Sequence, residues 1–128
     1  MIRLKDLLSE TIKGKKSTFG EFIRIDFTDN GNPIGYTNIR LKKGWNQLHI
    51  DVEELQQGKG YAQQMIEYNI NEYNYVTFPD NRIINPIMKK VIEKFKSNNK
   101  YEVFRTSYDE TVISNKKQSK QEILDKLK

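Results

Sequence analysis

The stretch that decides the fold is His49-Ile50-Asp51-Val52-Glu53-Glu54-Leu55-Gln56-Gln57-Gly58-Lys59-Gly60-Tyr61-Ala62. An extended pattern ends near Val52, and a helical pattern begins directly after Gly60. In such a strand–glycine–helix turn, several free backbone N–H groups point at one place, with the positive end of the helix dipole behind them. Glycine is needed because a Cβ would block the close approach of phosphate oxygens. The stretch therefore predicts a pyrophosphate-binding turn, to which Lys59 adds a cation.

The spacing of this turn differs from two other phosphate-binding motifs. Gln63 stands where the Rossmann pattern GxGxxG requires its third glycine, and no Gly-Lys-Ser/Thr closes the loop as it does in a P-loop. Taken alone, Gly58 and Gly60 are equally compatible with a tight turn that binds nothing. The interpretation of the turn therefore depends on the rest of the chain.

Upstream of the turn, the sequence predicts a three-stranded meander over residues 20–53. Residues 22–27 are rich in β-formers, and Asp29-Asn30-Gly31-Asn32-Pro33 has the chemistry of a turn. Two further extended runs cover residues 34–41 and 45–52. Consecutive strands joined by short turns are typical of antiparallel pairing.

Downstream of the turn, helical and extended patterns alternate. The first helix carries its apolar residues on one face: Ala62, Met65, Ile66, Ile70 and Tyr73. A short strand at 75–78 stops at Pro79, and a second amphipathic helix presents Ile84, Ile87, Met88, Val91, Ile92 and Phe95. Strands are expected at 101–108 and 111–114. This order predicts an α/β (α+β) fold with a mixed, mainly antiparallel sheet flanked by helices.

The two ends of the chain give weaker patterns. Apolar residues near helical spacing predict a helix over residues 2–13, closed by Gly14: Ile2, Leu4, Leu7, Leu8 and Ile12. Lys13, Lys15 and Lys16 around Gly14 favour a solvated basic connector. Residues 115–128 are rich in lysine and predict a tail or short helix that adds little to the core.

Composition excludes several kinds of site and selects no ligand. Among 128 residues there is no cysteine and a single histidine, His49, so thiolate and multi-histidine metal sites are excluded and no metal is expected. The net charge of +5 permits an anionic ligand, a nucleic acid or a membrane surface. No apolar run approaches the ~20 residues of a membrane span, and the start lacks the apolar core of a signal peptide. We therefore expect a cytoplasmic protein with no membrane partner.

The turn and its neighbours together resemble the GNAT superfamily of N-acetyltransferases. Gln57-Gly58-Lys59-Gly60-Tyr61-Ala62 matches that family's acyl-CoA signature, Gln/Arg-x-x-Gly-x-Gly/Ala, and Gly31-Asn32-Pro33-Ile34-Gly35-Tyr36 resembles the opening of an earlier family strand. Asn85 resembles the asparagine that leads the family's fourth helix. The resemblance covers residues 20–114. It implies an acyl-CoA-dependent N-acyltransferase with acetyl-CoA as co-substrate and an amine as acceptor.

The resemblance also implies where the cofactor lies. Backbone amides of six residues would surround the CoA pyrophosphate: Gln57, Gly58, Lys59, Gly60, Tyr61 and Ala62. The backbone from Ile50 to Val52 would pair with the pantetheine arm where two strands splay apart, and Asn85 would contact the cofactor. We accordingly expect one GNAT-like domain over residues 1–114. Its parts would be an N-terminal helix at 1–14, the meander at 20–53 and a CoA-binding half at 54–114, with 115–128 outside it.

The sequence departs from the family pattern where catalysis is expected. Ile92 stands where the family usually has a tyrosine general acid, and its place on an apolar stripe indicates core. The first strand and one substrate-side helix are missing from the predicted order, which suggests a minimal, divergent member. His49, Asp51 and Glu53 alternate on one strand and are candidate proton acceptors. Candidate donors are Tyr36, Tyr101 and Tyr108, and structural roles are open for each of these six side chains.

Two other functions stay open. A GNAT-fold protein that binds CoA or a partner without turnover fits the missing tyrosine. A basic nucleic-acid-binding domain fits the charge, but the sequence shows no aromatic–basic interleave on one strand pair. Finally, Met1-Ile2-Arg3-Leu4-Lys5-Asp6-Leu7-Leu8 resembles the openings of tailed-phage proteins, which implies a phage-encoded protein acting in the host cytoplasm.

Overall fold

One seven-stranded sheet organises the residues that this computed structural model describes, which are 12–42, 44–80 and 86–127. Its strands are β1 (Ile12–Phe19), β2 (Phe22–Asp29), β3 (Asn32–Lys42), β4 (Trp45–Val52), β5 (Tyr75–Pro79), β6 (Glu102–Arg105) and β7 (Glu110–Ser114). The helices are α1 (Tyr61–Tyr73), α2 (Pro86–Lys96) and α3 (Lys120–Lys126), and a short 3-10 helix (Glu54–Gln56) precedes α1.

The order of strands across the sheet is β1-β2-β3-β4-β5-β7-β6. Antiparallel pairing joins β1 through β4 into a meander, and it also joins β5, β7 and β6. Only the β4–β5 pair is parallel, because α1 carries the chain back along the sheet between these two strands. The predicted mixed, mainly antiparallel sheet with flanking helices is confirmed, although β6 is shorter than the predicted strand at 101–108.

Both central helices pack on the same face of the sheet. Residues spaced three or four apart place the apolar side chains of each helix towards the strands. The buried residues of α1 are Met65, Ile66, Asn69 and Ile70, and those of α2 are Met88, Val91, Ile92 and Phe95. They form the main core with strand residues that include Ile39, Leu48, Val76, Phe78 and Ile113. Across the described segments, no helix is long and apolar enough to cross a membrane.

The N-terminal part of the fold differs from its prediction. Residues 2–11 of the expected helix lie outside the described residues, but residues 12–19 form β1, so the helix does not extend to 13 and the basic connector is a strand. β1 pairs with β2 from Ile12 to Phe19, and its Gly14 faces the side chains of Ile25 and Tyr68. The first strand is therefore present. Only Gly20 and Glu21 separate it from β2.

The C-terminal segment contributes more to the core than its composition indicates. Ser119 caps α3 by accepting a hydrogen bond from the backbone N–H of Glu122, and the Glu122 carboxylate accepts one from the backbone N–H of Ser119. Ile123 and Leu127 are buried against the face of the sheet opposite α1, with Tyr75, Phe104 and Val112. The expectation that this segment adds little to the core was wrong, because two apolar residues on one helical face are enough to dock it.

Tyr75 in this second core gives a pH-dependent prediction. Its hydroxyl donates a hydrogen bond to the Gly44 carbonyl at 2.6 Å, and burial raises its pKa above 10.0. Below pH 10 the hydroxyl is protonated in both states and its stabilising contribution is complete. Above pH 10 the unfolded state ionises first, so the free energy of unfolding falls as pH rises towards the folded pKa. The free energy of unfolding, measured with urea on either side of pH 10, should fall less with pH for Tyr75→Phe than for wild type. An equal fall in both proteins would contradict this account.

Candidate functional site

A gap in the sheet lies between β4 and β5. These two strands share one register pair, Gln47 with Thr77, whereas β4 continues to pair with β3 as far as Val52. At Ile50 and Val52 the edge of β4 that faces β5 has no register partner in β5. The gap opens at the end of β4, where the chain enters the turn that leads to α1. The family resemblance implies that the pantetheine arm lies in a gap of this kind.

The turn presents open backbone to the same place. Gly58 and Gly60 have φ values of 82° and 81°, a left-handed conformation that glycine adopts without strain. A Cβ built on either glycine would meet nothing within 4 Å, so the space beside both is free. Gly60 is the N-cap of α1, and its first turn has neither a side-chain cap nor an acidic residue among the described residues. The N–H groups at the start of α1 are therefore directed at an anion-sized opening.

A cavity of about 410 Å³ adjoins this opening. One wall consists of the end of β4 and the turn, and the other consists of α2. Its lining includes most of the residues proposed for the cofactor: Ile50, Val52, Gln57, Gly58, Gly60, Tyr61 and Ala62. Lys59, by contrast, directs its Nζ to the Gln56 side chain at 3.0 Å. Asn85 lies outside the described residues.

The residues of α2 that form the second wall were not among those expected to contact the cofactor, although Asn85 at the start of the same helix was. Ile87, Met88 and Val91 give it an apolar surface, and Lys90 and Lys94 place two cations four residues apart at the same cavity. Ile87 is 53% exposed, which is unusual for a large apolar side chain on an amphipathic helix. The sequence shows Ile87, Lys90 and Lys94 on the helix that carries the apolar stripe. It does not show that they face the cavity, because that depends on how α2 packs on the rest of the fold.

Several hydrogen bonds fix the turn in place. Gln57 donates to the Val52 carbonyl at 3.3 Å, and the backbone N–H of Glu53 donates to the Ile34 carbonyl at 2.9 Å. The Tyr61 hydroxyl donates to the Asp29 carboxylate, which ties the start of α1 to the end of β2. This hydrogen bond, followed by burial, raises the pKa of Tyr61, so its hydroxyl stays a donor. The turn is thus organised before any ligand arrives.

Three of the candidate proton-transfer residues lie near the end of β4. A second cavity of about 420 Å³ is lined by Gly35, Tyr36, Asp51, Val52, Glu53, Glu54 and Gln57. It shares Asp51, Val52 and Gln57 with the first cavity, so the two adjoin. The His49 ring centre is 6.1 Å from that of Tyr36. Only glycine fits at position 35, since a Cβ there would overlap the Asp51 carbonyl.

The other tyrosines lie elsewhere. Tyr108 packs edge-on against Trp45 at the start of β4, with ring centres 5.5 Å apart. Asp51 lies six positions further along the strand than Trp45, a distance of about 20 Å. Tyr101 packs on Phe95 in the main core, and burial raises the pKa of its hydroxyl. The structure therefore brings Tyr36, Asp51 and Glu53 to one cavity, with His49 beside Tyr36, and places Tyr108 at the other end of β4.

Ile92 occupies the core as its apolar stripe indicates. It is 5% exposed and belongs to the main cluster. Its accessible edge faces a groove between α2 and β6, together with Lys89 and Val103, rather than the cavity beside the turn. No hydroxyl is available at this position.

Solved structures share this architecture. A putative acetyltransferase of the GNAT family from Bacteroides thetaiotaomicron superposes with a TM-score of 0.61 at 12% identity, over 98% of this chain and 76% of that one. The chain has the GNAT acetyltransferase fold. The GNAT fold also relates it to the ribosomal-protein-S18-alanine N-acetyltransferase from Escherichia coli, with a TM-score of 0.50 at 14% identity over 88% and 86% of the two chains.

An uncharacterised protein from Bacillus halodurans superposes with a TM-score of 0.52 at 13% identity, over 85% of this chain and 64% of that one. No protein-family model matches the sequence, and no curated protein matches it. Within the described residues, no group of three or more acidic or histidine side chains could hold a metal ion.

Proposed function

We propose that the chain binds an acyl-CoA thioester and transfers its acyl group, an acetyl group in the simplest case, to an amine. The observation that carries this proposal is the meeting of three features at one place. The β4–β5 gap, the open N–H groups at the start of α1 and the 410 Å³ cavity are contiguous through Ile50, Val52 and Gly60. The GNAT fold supports the same proposal.

The residues present fit such a ligand. The free space beside Gly58 and Gly60 accommodates phosphate oxygens next to backbone N–H groups. Lys90 and Lys94 add positive charge to the opposite wall, where Met88 and Val91 offer an apolar surface. The unpaired edge of β4 near Ile50 and Val52 can exchange hydrogen bonds with the amides of a pantetheine arm. We assign Asn85 and Lys59 to the cofactor as well, on the family resemblance.

The chemistry requires two proton transfers. The amine nitrogen forms a bond to the thioester carbonyl carbon, and the carbon–sulfur bond breaks. A base takes the proton that the amine loses, and the departing thiolate gains one. We propose His49 or Glu53 as the base and Tyr36 as the donor, because Tyr36 and Glu53 line the second cavity and the His49 ring lies beside that of Tyr36.

Thiol release from acetyl-CoA tests this proposal. Wild type should release free CoA only when an amine acceptor from a panel of polyamines, aminoglycosides and lysine peptides is present. Tyr36→Phe should lower this rate by about 10²–10⁴-fold, since general acid catalysis contributes that much. Tyr108→Phe removes a hydroxyl at the other end of β4 and should leave the rate unchanged. A rate that falls for Tyr108→Phe and not for Tyr36→Phe would reverse the assignment.

A second candidate function is CoA binding without turnover. The buried, apolar environment of Ile92 favours it, because the position where the family usually supplies a proton donor is committed to the core. Under this alternative, CoA stabilises the fold and no acceptor in the panel releases thiol. If CoA does not stabilise the fold and no acceptor releases thiol, both acyl transfer and CoA binding are excluded.

A further inference from the structure

Aromatic and cationic side chains alternate on one face of the strands β1 to β4. We call them the aromatic–cationic strip, which consists of Phe19, Phe22, Arg24, Tyr36, Arg40 and His49. Register places them side by side: Phe19 is opposite Phe22, which is opposite Arg40. Because directly paired residues point to the same side of a sheet, the strip lies on one face. That face is opposite to α1 and α2, whose cores contain Ile39, Leu48 and Ile50.

The members of the strip contact one another. The Arg24 guanidinium lies 4.0 Å from the centre of the Tyr36 ring, and that of Arg40 lies 5.9 Å from the centre of Phe22. Tyr36 in turn lies beside His49. Ion pairs from Arg24 to Asp26 and from Arg40 to Glu21 hold the two planar guanidinium groups in place. The strip is therefore an ordered surface of flat groups.

The strip is open to solvent. Phe19 is 62% exposed and Phe22 is 38% exposed, although both could have been polar on a solvent-facing strand. α3 covers a different part of this face, around Phe104 and Val112. Exposed aromatic groups on a sheet, next to cations, are more typical of a binding surface than of a core.

The strip carries cations on β1 to β3 and carboxylates beside Tyr36 at the end of β4. Register places five cations on this face: Lys13, Lys15, Arg24, Arg40 and Lys42. Its anions are Asp26, Asp51 and the nearby Glu21, with Glu53 and Glu54 in the cavity beside Tyr36. Arg24, Arg40 and Lys42 pair with Asp26 or Glu21, whereas Lys13 and Lys15 stand on exposed positions of β1. A ligand complementary to the part of the strip on β1 to β3 combines flat apolar groups with negative charge.

We propose that the aromatic–cationic strip binds single-stranded nucleic acid, with bases stacked on its rings and guanidinium planes and phosphates beside its lysines. Four adjacent strands span about 14 Å. A four-stranded sheet of this kind stacks two or three bases in RNA-recognition domains. The expectation that no strand pair carries an aromatic–basic interleave was wrong, because the pairing of β2 with β3 assembles one from Phe22, Arg24, Tyr36 and Arg40. The strip shares Tyr36 and His49 with the residues proposed for acyl transfer, but nucleic-acid binding does not require that reaction.

Fluorescence anisotropy with a labelled oligo(dT) of about ten nucleotides tests the strip. An abasic oligonucleotide of the same length carries the same phosphates without bases. Wild type should bind the abasic strand at least about tenfold more weakly, because stacking supplies part of the affinity. Binding to oligo(dT) should also weaken steeply as salt rises.

Two sets of variants separate stacking from charge. The double variant Phe19→Leu/Phe22→Leu keeps apolar side chains and should weaken oligo(dT) binding about tenfold, with no change for the abasic strand. Arg40→Gln should reduce the salt slope by about one. Arg105→Gln is the matched control, because it removes the same charge from an exposed side chain on β6, at the other edge of the sheet. Arg105→Gln should leave the affinity for oligo(dT) and the salt slope unchanged.

Three results would overturn the proposal. Equal affinity for the abasic strand would show a general polyanion surface. Binding to anionic phosphatidylserine vesicles without binding to oligo(dT) would show a membrane surface instead. Failure to bind any oligonucleotide, with the melting temperature of each variant close to wild type, would show that the strip binds no nucleic acid.

Discussion

Coenzyme A at about 100 times its dissociation constant should raise the free energy of unfolding of wild type by about 2.7 kcal/mol. For a domain of this size that is a rise of several degrees in melting temperature. Gly60→Val should abolish the rise. Its φ of 81° disfavours a β-branched residue, and the added side chain would enter the free space in which we place the phosphates.

Gly20→Val is the control for this experiment. Gly20 also has a positive φ, 60°, and a Cβ there also meets nothing within 4 Å, but it lies in the turn between β1 and β2. Both variants carry a backbone strain of about 1–3 kcal/mol. Only Gly60→Val should lose the response to CoA. A normal response in Gly60→Val would place the cofactor away from the turn.

Ile123→Ala should lower the free energy of unfolding by about 2–5 kcal/mol, as measured by urea denaturation. Ile123 is fully buried in the cluster of α3 with Tyr75 and Val112, so its truncation leaves a cavity. Gln121→Ala on the exposed side of the same helix should cost little, since alanine favours a helix. Deletion of residues 118–127 should destabilise the fold at least as much as Ile123→Ala. An unchanged melting temperature after that deletion would show that α3 is dispensable.

Strong periodicity explains which elements could be predicted. α1 and α2 each keep an apolar stripe over three helical turns. In β2 to β4, apolar and polar residues alternate, and short loops separate the strands. In these elements the local sequence pattern and the tertiary packing agree. β1 lacks such a pattern: Gly14 occupies a position that faces α1, and lysines occupy its other face. Its strand conformation depends on pairing with β2, which no local pattern reports.

Some residues of the candidate site could likewise be predicted from local sequence, and others could not. The glycine turn could be predicted because the conformation of Gly58 and Gly60 is a local property. Lys90 and Lys94 could not, because their place beside the turn depends on how α2 packs across the sheet. The proximity of Tyr36 to His49 and the distance of Tyr108 from both are likewise matters of register and of which strands are neighbours.

The single register pair between β4 and β5 makes the sheet two mechanical units. The meander β1–β4 and the trio β5–β7 are joined at Gln47 and Thr77, by the side chain of Asn46 donating to the Tyr75 carbonyl at 3.0 Å, and by Gln47 donating to Glu110 at 2.9 Å. The central helices join the units as well, because they pack in one core cluster with strand residues of both. A ligand that fills the gap bonds to each unit, so its binding suppresses their relative opening and makes them unfold as one.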